Sequence, residues 1–247
     1  MDKRQDADTS TATVASGAGA PFSSKYTPMY AVLALLPMLV LTAGGAGETG
    51  VLAWTVVLMV LFAVCSPLRD GVPGRVIAFL AGAVSLCIAG TGLMTDLLSG
   101  SGDRAATSIA SMTTAREVAW FAGVGGLLVV LIVVSFIRQM AREERSHLIR
   151  GLSHSVLDGV ALIAASGWMF LPDYMALPDA GADNTAMIAS AIVVALLFVG
   201  LSVASNWWMA EADPDEHAIR PWIGIVVLPT LLSGVLVPIA AVLASIA

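Results

Sequence analysis

An acidic residue, Asp158, lies well inside an apolar stretch of the sequence at residues 152–171. The stretch is long enough to cross a bilayer as a helix, and Asp158 would lie roughly 9 Å past its start. An ionisable side chain at membrane depth is costly and is therefore a candidate for function. His154 is four residues earlier, on the same helix face. The two side chains mark the place where we expect proton or substrate handling.

The spacing of His154 and Asp158 is compatible with two kinds of chemistry. The pair could relay protons, because histidine titrates near neutral pH. It could also supply two ligands of a metal ion, but further ligands are not evident, so we predict no metal site and no cofactor. The simplest alternative is structural: Asp158 is near enough to the helix end to pair with Arg150 or His154, or to bond water.

Basic residues precede this stretch in the segment RQMAREERSHLIRG at 138–151. Four of its arginines could hold an anionic headgroup at the inner leaflet: Arg138, Arg142, Arg145 and Arg150. Basic residues here also determine membrane topology, and Glu143 and Glu144 partly neutralise them, so charge alone does not identify a lipid site. Glu143 and His147 would join the stripe of Asp158 if the helix ran backward unbroken through Gly151.

These residues belong to a chain whose composition indicates a membrane protein. Of its 247 residues, 57% are hydrophobic and 12% are charged, and the mean hydropathy is +0.87. Soluble domains average about 25% charged residues, so a soluble enzyme is excluded. The net charge of −6 leaves no basic surface for nucleic acid. We predict an all-α, polytopic transmembrane helix bundle whose immediate partner is the lipid bilayer.

Seven apolar stretches each have about the length of a membrane-spanning helix. They lie at about 29–46, 51–67, 76–95, 118–137, 152–171, 186–206 and 222–245. Residues 1–27 are predicted to be a disordered cytoplasmic tail, and residues 28–247 a single seven-helix transmembrane domain. Pro37 in the first span and Pro229 and Pro238 in the seventh predict kinks. Broken helices build midplane sites in transporters.

The distribution of Lys and Arg predicts a cytoplasmic N-terminus and an external C-terminus. With that orientation ten of the twelve basic residues lie inside, and only Arg104 and Arg116 lie outside. Trp54, Trp120 and Trp168 then fall at the outer ends of their spans. Because tryptophan prefers the membrane–water interface, we interpret these three residues as interfacial.

The layout favours a transport-related protein of the cytoplasmic membrane, either a small permease or the membrane subunit of a larger complex. The second case would require partner membrane or cytoplasmic subunits. Two alternatives stay open. One is a membrane-bound enzyme acting on lipid or isoprenoid substrates at the inner leaflet, which would need several convergent acids or a metal site beside Asp158. The other is a non-catalytic scaffold or assembly factor, in which Asp158 would be dispensable.

Overall fold

The computed structural model describes residues 26–68, 71–99, 114–141, 148–178, 183–211 and 219–246, and these residues form helices with no strand. Long apolar runs form helices in a bilayer because a helix satisfies its own backbone hydrogen bonds. The helices are α1 (Thr27–Ala43), α2 (Gly47–Cys65), α3 (Gly71–Thr91), α4 (Leu93–Ser99), α5 (Ala115–Met140), α6 (Leu148–Ala165), the 3₁₀ segment Ser166–Phe170, α7 (Leu171–Ala176), α8 (Asn184–Glu211), α9 (Pro221–Ser233) and α10 (Leu236–Ile246).

Six helical segments of the described chain are long and apolar enough to cross a membrane. They are 47–65, 72–91, 115–140, 152–176, 184–208 and 221–245. The apolar helix α1 has 17 residues and is about 26 Å long. Together the seven regions correspond in order to the seven predicted stretches. The prediction of an all-α, polytopic membrane bundle is confirmed.

Contacts between helix termini show how the chain runs through the bundle. The ring of Tyr30, near the start of α1, lies 6.4 Å from the ring of Trp222, near the start of α9. At the far end of the α9–α10 segment, the hydroxyl of Ser245 lies 3.4 Å from that of Thr114, just before α5. The described chain therefore enters α1 and leaves α10 at opposite ends of the bundle.

We name the two ends of the bundle after the charged residues found there. The Asp158 end comprises the starts of α1, α3, α6 and α9 and the ends of α2, α5 and α8. The Arg116 end comprises α7, the starts of α2, α5 and α8, and the ends of α1, α3 and α10. The predicted orientation places the Asp158 end in the cytoplasm and the Arg116 end outside.

Two central segments form the core, and the other helices surround them. In the most apolar 18-residue stretch of segments 152–176 and 221–245, 78% and 72% of the residues are buried, against 11% to 33% in the other four long segments. Both central segments depart locally from α-helical hydrogen bonding, while Ala165, Leu171 and Gly234 at the junctions keep right-handed helical backbone angles. The 3₁₀ segment Ser166–Phe170 separates α6 from α7, and a turn at residues 234–235 separates α9 from α10.

The two interruptions face each other across a glycine contact. A Cβ atom at Gly167 would overlap the carbonyl oxygen of Gly234, and one at Gly234 would overlap that of Ala164. Small residues allow such backbone contact, which drives helix association where lipid removes the hydrophobic effect. Close by, Trp168 Nε1 donates a hydrogen bond of 2.8 Å to the carbonyl oxygen of Thr230. The two central segments are thus joined at their breaks.

The three prolines lie at different places in their helices. Pro37 and Pro229 are inside α1 and α9, which continue through them. Pro238 lies in the first turn of α10, where a missing N–H group has no intrahelical partner to lose. The interruption of the last span therefore lies at Gly234, between the two prolines, and is set by the glycine contact.

Two of the three tryptophans predicted at the outer ends are buried in the protein. Trp120 and Trp168 are 1% and 3% exposed and lie in the core. Trp54 is partly buried, and its Nε1 donates to the carbonyl oxygen of Ala34 at 2.9 Å. An indole can be buried in this way because its N–H group finds an acceptor inside the protein.

The predicted boundary of the N-terminal tail is also too late. Thr27 is the first residue of α1 and is fully buried, so the bundle includes a residue assigned to the tail. Residues 1–25, which make up the rest of the predicted tail, lie outside the described residues.

Candidate functional site

Asp158 lies inside the bundle at the Asp158 end. Its residue is 1% exposed, and its Oδ1 accepts a hydrogen bond of 2.9 Å from Ser66 Oγ. Ser66 follows the last residue of α2 and is 1% exposed. Asp158 therefore faces the protein interior, and the acid connects α6 to the end of α2.

The local sequence around Ser66 explains why its hydroxyl is available. Pro67 follows Ser66 and disfavours helical backbone at the preceding residue, so α2 ends at Cys65. The chain then turns, and the backbone N–H of Leu68 donates to Ser66 Oγ at 3.2 Å. Arg75 Nη2 donates to the carbonyl oxygen of Ser66 at 3.1 Å. Ser66 is thereby held with its hydroxyl proton directed to the carboxylate.

A pocket of about 310 Å³ lies beside this site, at the small end of the range of ligand pockets. His154 lines it and is the ionisable side chain among the lining residues that the structure describes. The lining comprises Phe62, Pro67, Leu68, His154, Leu157, Trp208, Ile225 and Leu228. The pocket is partly open, and its wall is mostly apolar. His154 and Asp158 share a helix, but His154 contacts the pocket while Asp158 is bonded behind it.

The structure describes only some of the four arginines that were predicted to bind a headgroup. Arg138 Nη1 lies 3.5 Å from the hydroxyl of Ser155, so this guanidinium reaches from α5 to α6. Helix α6 begins at Leu148 and runs unbroken through Gly151. The backbone of Arg150 therefore belongs to the same helix as Asp158. The structure does not describe the side chain of Arg150. The remaining predicted members lie outside the described residues: Arg142, Glu143, Arg145 and His147.

Helix α5 adds buried polar atoms near the same end. Ser135 and Gln139 are 1% and 2% exposed and lie one turn apart. Among the described residues Ser135 Oγ and Gln139 Nε2 have no hydrogen-bond partner. Leu131, one turn before Ser135, lies against Gly159 of α6. Ser135 is therefore on the face of α5 that packs against α6, close to the level of Asp158. Buried polar atoms of this kind usually bond water or a ligand.

At the opposite end of the bundle Arg116 joins three helices. Its Nη1 lies 2.9 Å from Glu48 Oε1 in α2 and 3.0 Å from Asp173 Oδ2 in α7. Its Nη2 donates to the carbonyl oxygen of Ala89 in α3 at 3.0 Å. The guanidinium carbon lies 5.8 Å from the centre of the Phe170 ring. We call Arg116 with these three hydrogen-bonded partners the Arg116 latch.

A column of buried side chains extends from the latch into the bundle. The rings of Phe170 and Trp120 are 5.6 Å apart. Trp120 Nε1 lies 3.2 Å from Ser85 Oγ and 3.1 Å from Ser166 Oγ, and the two hydroxyls are 2.6 Å apart. Ser166 also donates to the carbonyl oxygen of Ile163 at 2.8 Å. The column closes the space between α3, α5 and the 3₁₀ segment.

Some residues that form the charged and hydrogen-bonded groups at the two ends of the bundle were not predicted from the sequence. Ser66 has no local signal, because 92 residues separate it from Asp158. Glu117 falls one residue before a predicted stretch, but it lies within α5 and is 3% exposed, which makes it a second buried acid. Arg116 did carry a signal, since it is one of only two basic residues on the predicted outer side, next to Glu117.

The donor set at these sites gives no metal centre within the residues that the structure describes. No group of three or more His, Cys, Asp or Glu side chains there could hold a metal ion. No family model, no curated protein and no solved structure matches the chain.

Proposed function

We propose that the protein is a transport protein of the cytoplasmic membrane, either a small permease or the membrane subunit of a transport complex. In this proposal Asp158 handles a proton or a cation. The observation that carries it is a fully buried carboxylate, bonded to the Ser66 hydroxyl, beside a partly open pocket lined by His154. A buried acid in a membrane protein typically marks a proton or substrate pathway.

The local departures from α-helical geometry in the two central segments support the proposal. A stretch of 3₁₀ geometry within a helix often marks a functional hinge, and transporters commonly bind their substrates at irregular central helices. Here both breaks lie in the two most buried segments and contact each other through Gly167 and Gly234. Asp158 is eight residues before the break at Ser166, about 12 Å along the helix. A shift at the glycine contact would therefore move the segment that carries Asp158.

The buried polar atoms of α5 support a polar route at the same end. Ser135 Oγ and Gln139 Nε2 are available to bond water or solute, since they have no partner among the described residues. A scaffold would have no need for such atoms, whose burial without a partner costs about 1–3 kcal/mol each.

The pocket indicates the chemistry of the transported solute. Its wall is formed by Phe62, Trp208 and aliphatic side chains, and His154 contributes a hydrogen-bonding group. A pocket of this kind fits a small, mostly apolar molecule with one polar group, because the polar group fixes orientation and the wall supplies contact area.

The enzyme alternative has weaker support. Chemistry on a lipid headgroup would require convergent acids or a metal ion, and no group of three or more His, Cys, Asp or Glu side chains that could hold a metal ion occurs among the described residues. The subunit alternative within the transport proposal rests on α8, of which only 11% is buried and which offers a long apolar surface to lipid or to a partner helix.

Proton movement in reconstituted vesicles tests the proposal. Vesicles containing the purified protein and a trapped pH-sensitive dye would be exposed to a panel of small amphipathic compounds. We expect at least one compound to elicit proton movement, and Asp158→Asn to reduce the rate at least about tenfold. Asparagine preserves the size of the side chain and an oxygen that can accept from Ser66, so the bundle should still fold.

The matched control is Asp183→Asn, since Asp183 is exposed and its Oδ1 accepts from the backbone N–H of Thr185, a bond that asparagine can keep. This variant should transport at the wild-type rate. Wild-type transport by Asp158→Asn would show that Asp158 has only a structural role. Failure of every compound with the wild-type protein would contradict the permease form of the proposal.

A further inference from the structure

The Arg116 latch closes the end of the bundle opposite the pocket. One guanidinium bonds α2 through Glu48, α3 through the carbonyl oxygen of Ala89, and α7 through Asp173. Helices α2 and α3 surround the core, whereas α7 continues the central segment that carries Asp158. The latch therefore fixes a central segment to the surrounding helices at this end.

The column beneath the latch fills the space between the described helices at this end. Phe170 is fully buried directly under the guanidinium, and Trp120 is 1% exposed beneath Phe170. The hydroxyls of Ser85 and Ser166 complete the column at the 3₁₀ segment. That segment continues the helix that carries Asp158 toward the latch.

The charges and the exposure of the latch suit a contact that opens. Within the part of the chain that the structure describes, one arginine pairs with both Glu48 and Asp173, and the buried acid Glu117 is its neighbour in the sequence. The side chains of Arg116, Glu48 and Asp173 are 32%, 47% and 36% exposed. Ion pairs with this much exposure are weak and salt-sensitive, unlike fully buried ones.

We propose that the Arg116 latch is the gate at the Arg116 end, whose release separates α7 from α2 and α3 and opens a water-accessible route past Phe170 and Trp120. This inference rests on the proposed transport function, because a gate has a purpose only if a solute passes through the bundle. The pocket at the Asp158 end and the closed latch then belong to one state of the transport cycle. The other state has the latch open and the pocket closed.

Cysteine labelling tests the gate without any transported compound. Ala89→Cys places a thiol on α3 at a residue that is 1% exposed beside the latch, in a background where Cys65 and Cys87 are replaced by alanine. The rate of modification by a small, charged, membrane-impermeant thiol reagent reports water access. With Arg116 present we expect slow modification. Arg116→Gln should accelerate it at least about tenfold, the factor that corresponds to about 1.4 kcal/mol in the closed–open equilibrium.

Asp183→Asn is the matched control. Asp183 is an exposed acid at the Arg116 end and outside the latch, and its Oδ1 accepts from the backbone N–H of Thr185, a bond that asparagine can keep. Its change should leave the modification rate at Ala89→Cys within about twofold of the reference. Glu48→Gln and Asp173→Asn each remove one ion pair and keep the arginine, so each should give a smaller increase than Arg116→Gln.

The result that overturns the gate is an unchanged modification rate in a folded Arg116→Gln protein. If that variant does not fold, Glu48→Gln and Asp173→Asn decide: increased rates support the gate, and unchanged rates overturn it. The outcome is separable from the proposed function. If Asp158→Asn loses proton movement but Arg116→Gln has no effect on labelling, the gate proposal is wrong and the transport proposal stands. If Arg116→Gln changes labelling but no compound is transported, the latch is a mobile contact and the transport proposal is wrong.

Discussion

The two ends of the bundle hold their charged residues in opposite ways. At the Asp158 end a fully buried carboxylate is bonded to a neutral hydroxyl, and a pocket of about 310 Å³ lies beside it. At the Arg116 end partly exposed ions pair directly with each other above a column of buried aromatic rings. At the Asp158 end the pocket is partly open and the carboxylate is buried. At the Arg116 end the helices are joined by ion pairs whose side chains are partly exposed to water.

In the proposed function this difference corresponds to separate tasks at the two ends. The buried carboxylate of Asp158 lies beside a partly open pocket, where it would exchange a proton or cation. A cluster of partly exposed ion pairs contributes little net stability and can be exchanged for water at small cost. The proposal therefore assigns binding to the Asp158 end, and opening and closing to the Arg116 end.

The largest effect is expected at the glycine contact that separates the ends. Gly167→Ala places a Cβ atom against the carbonyl oxygen of Gly234, and backbone cannot retreat as a side chain can. We expect a loss of about 3 kcal/mol in the free energy of unfolding, or failure to fold. Gly125→Ala is the control, since a Cβ there meets no atom within 4 Å. Equal unfolding midpoints for the two variants would show that the breaks are not joined.

At the Asp158 end we expect the next largest change. Asp158→Ala removes the acceptor of the Ser66 hydroxyl and leaves a buried donor unsatisfied, at a cost of about 2 kcal/mol. Asp158→Asn retains an acceptor and should cost about 1 kcal/mol or less. Unfolding in detergent by denaturant measures both. An Asn variant as unstable as the Ala variant would mean that the charge of Asp158, and not the bond to Ser66, holds this end together.

The sequence predicted one end better than the other, for a physical reason. Asp158 interrupts a long apolar stretch, so its importance is visible along a single helix. Each partner that completes the sites is distant in the chain: Ser66 from Asp158, and Glu48 from Arg116. Which helices meet depends on small residues such as Gly167, and glycines are too frequent in membrane helices for one sequence to identify the contact.

The same limit explains the tryptophans. The apolar and polar pattern places Trp120 at the correct level along α5, near its start. Burial of the ring depends on the acceptor hydroxyls of Ser85 and Ser166, which are contributed by other segments. Helix number and order follow from hydropathy alone, and for that reason the bundle could be predicted while its contacts could not.

A smaller effect is expected in the column at the Arg116 end. Trp120→Phe keeps an aromatic ring against Phe170 but removes the indole N–H that reaches two hydroxyls. Those hydroxyls still bond each other, so no polar atom is stranded, and the cost should be about 1 kcal/mol. Unfolding midpoints measure this change. A loss as large as that of Gly167→Ala would place the essential contact in the column and not at the glycines.

The smallest effect is the response to salt. Raising NaCl from about 0.05 M to about 0.5 M shortens the screening length and should increase modification of Ala89→Cys about twofold to threefold. A thiol in the pocket, Leu68→Cys, should not show this increase, because the pocket wall is mostly apolar. Equal salt dependence at both thiols would remove the electrostatic distinction between the ends.

The most direct test of the account is whether the two ends open in alternation. Leu68→Cys and Ala89→Cys, each with and without Arg116→Gln, would be labelled with the impermeant reagent applied to both faces of the membrane. We predict that loss of Arg116 accelerates modification beside the latch and slows it in the pocket, because one movement of the central segments opens one end and closes the other. Pocket labelling that stays constant while the latch opens would contradict the account, since the ends would then be independent.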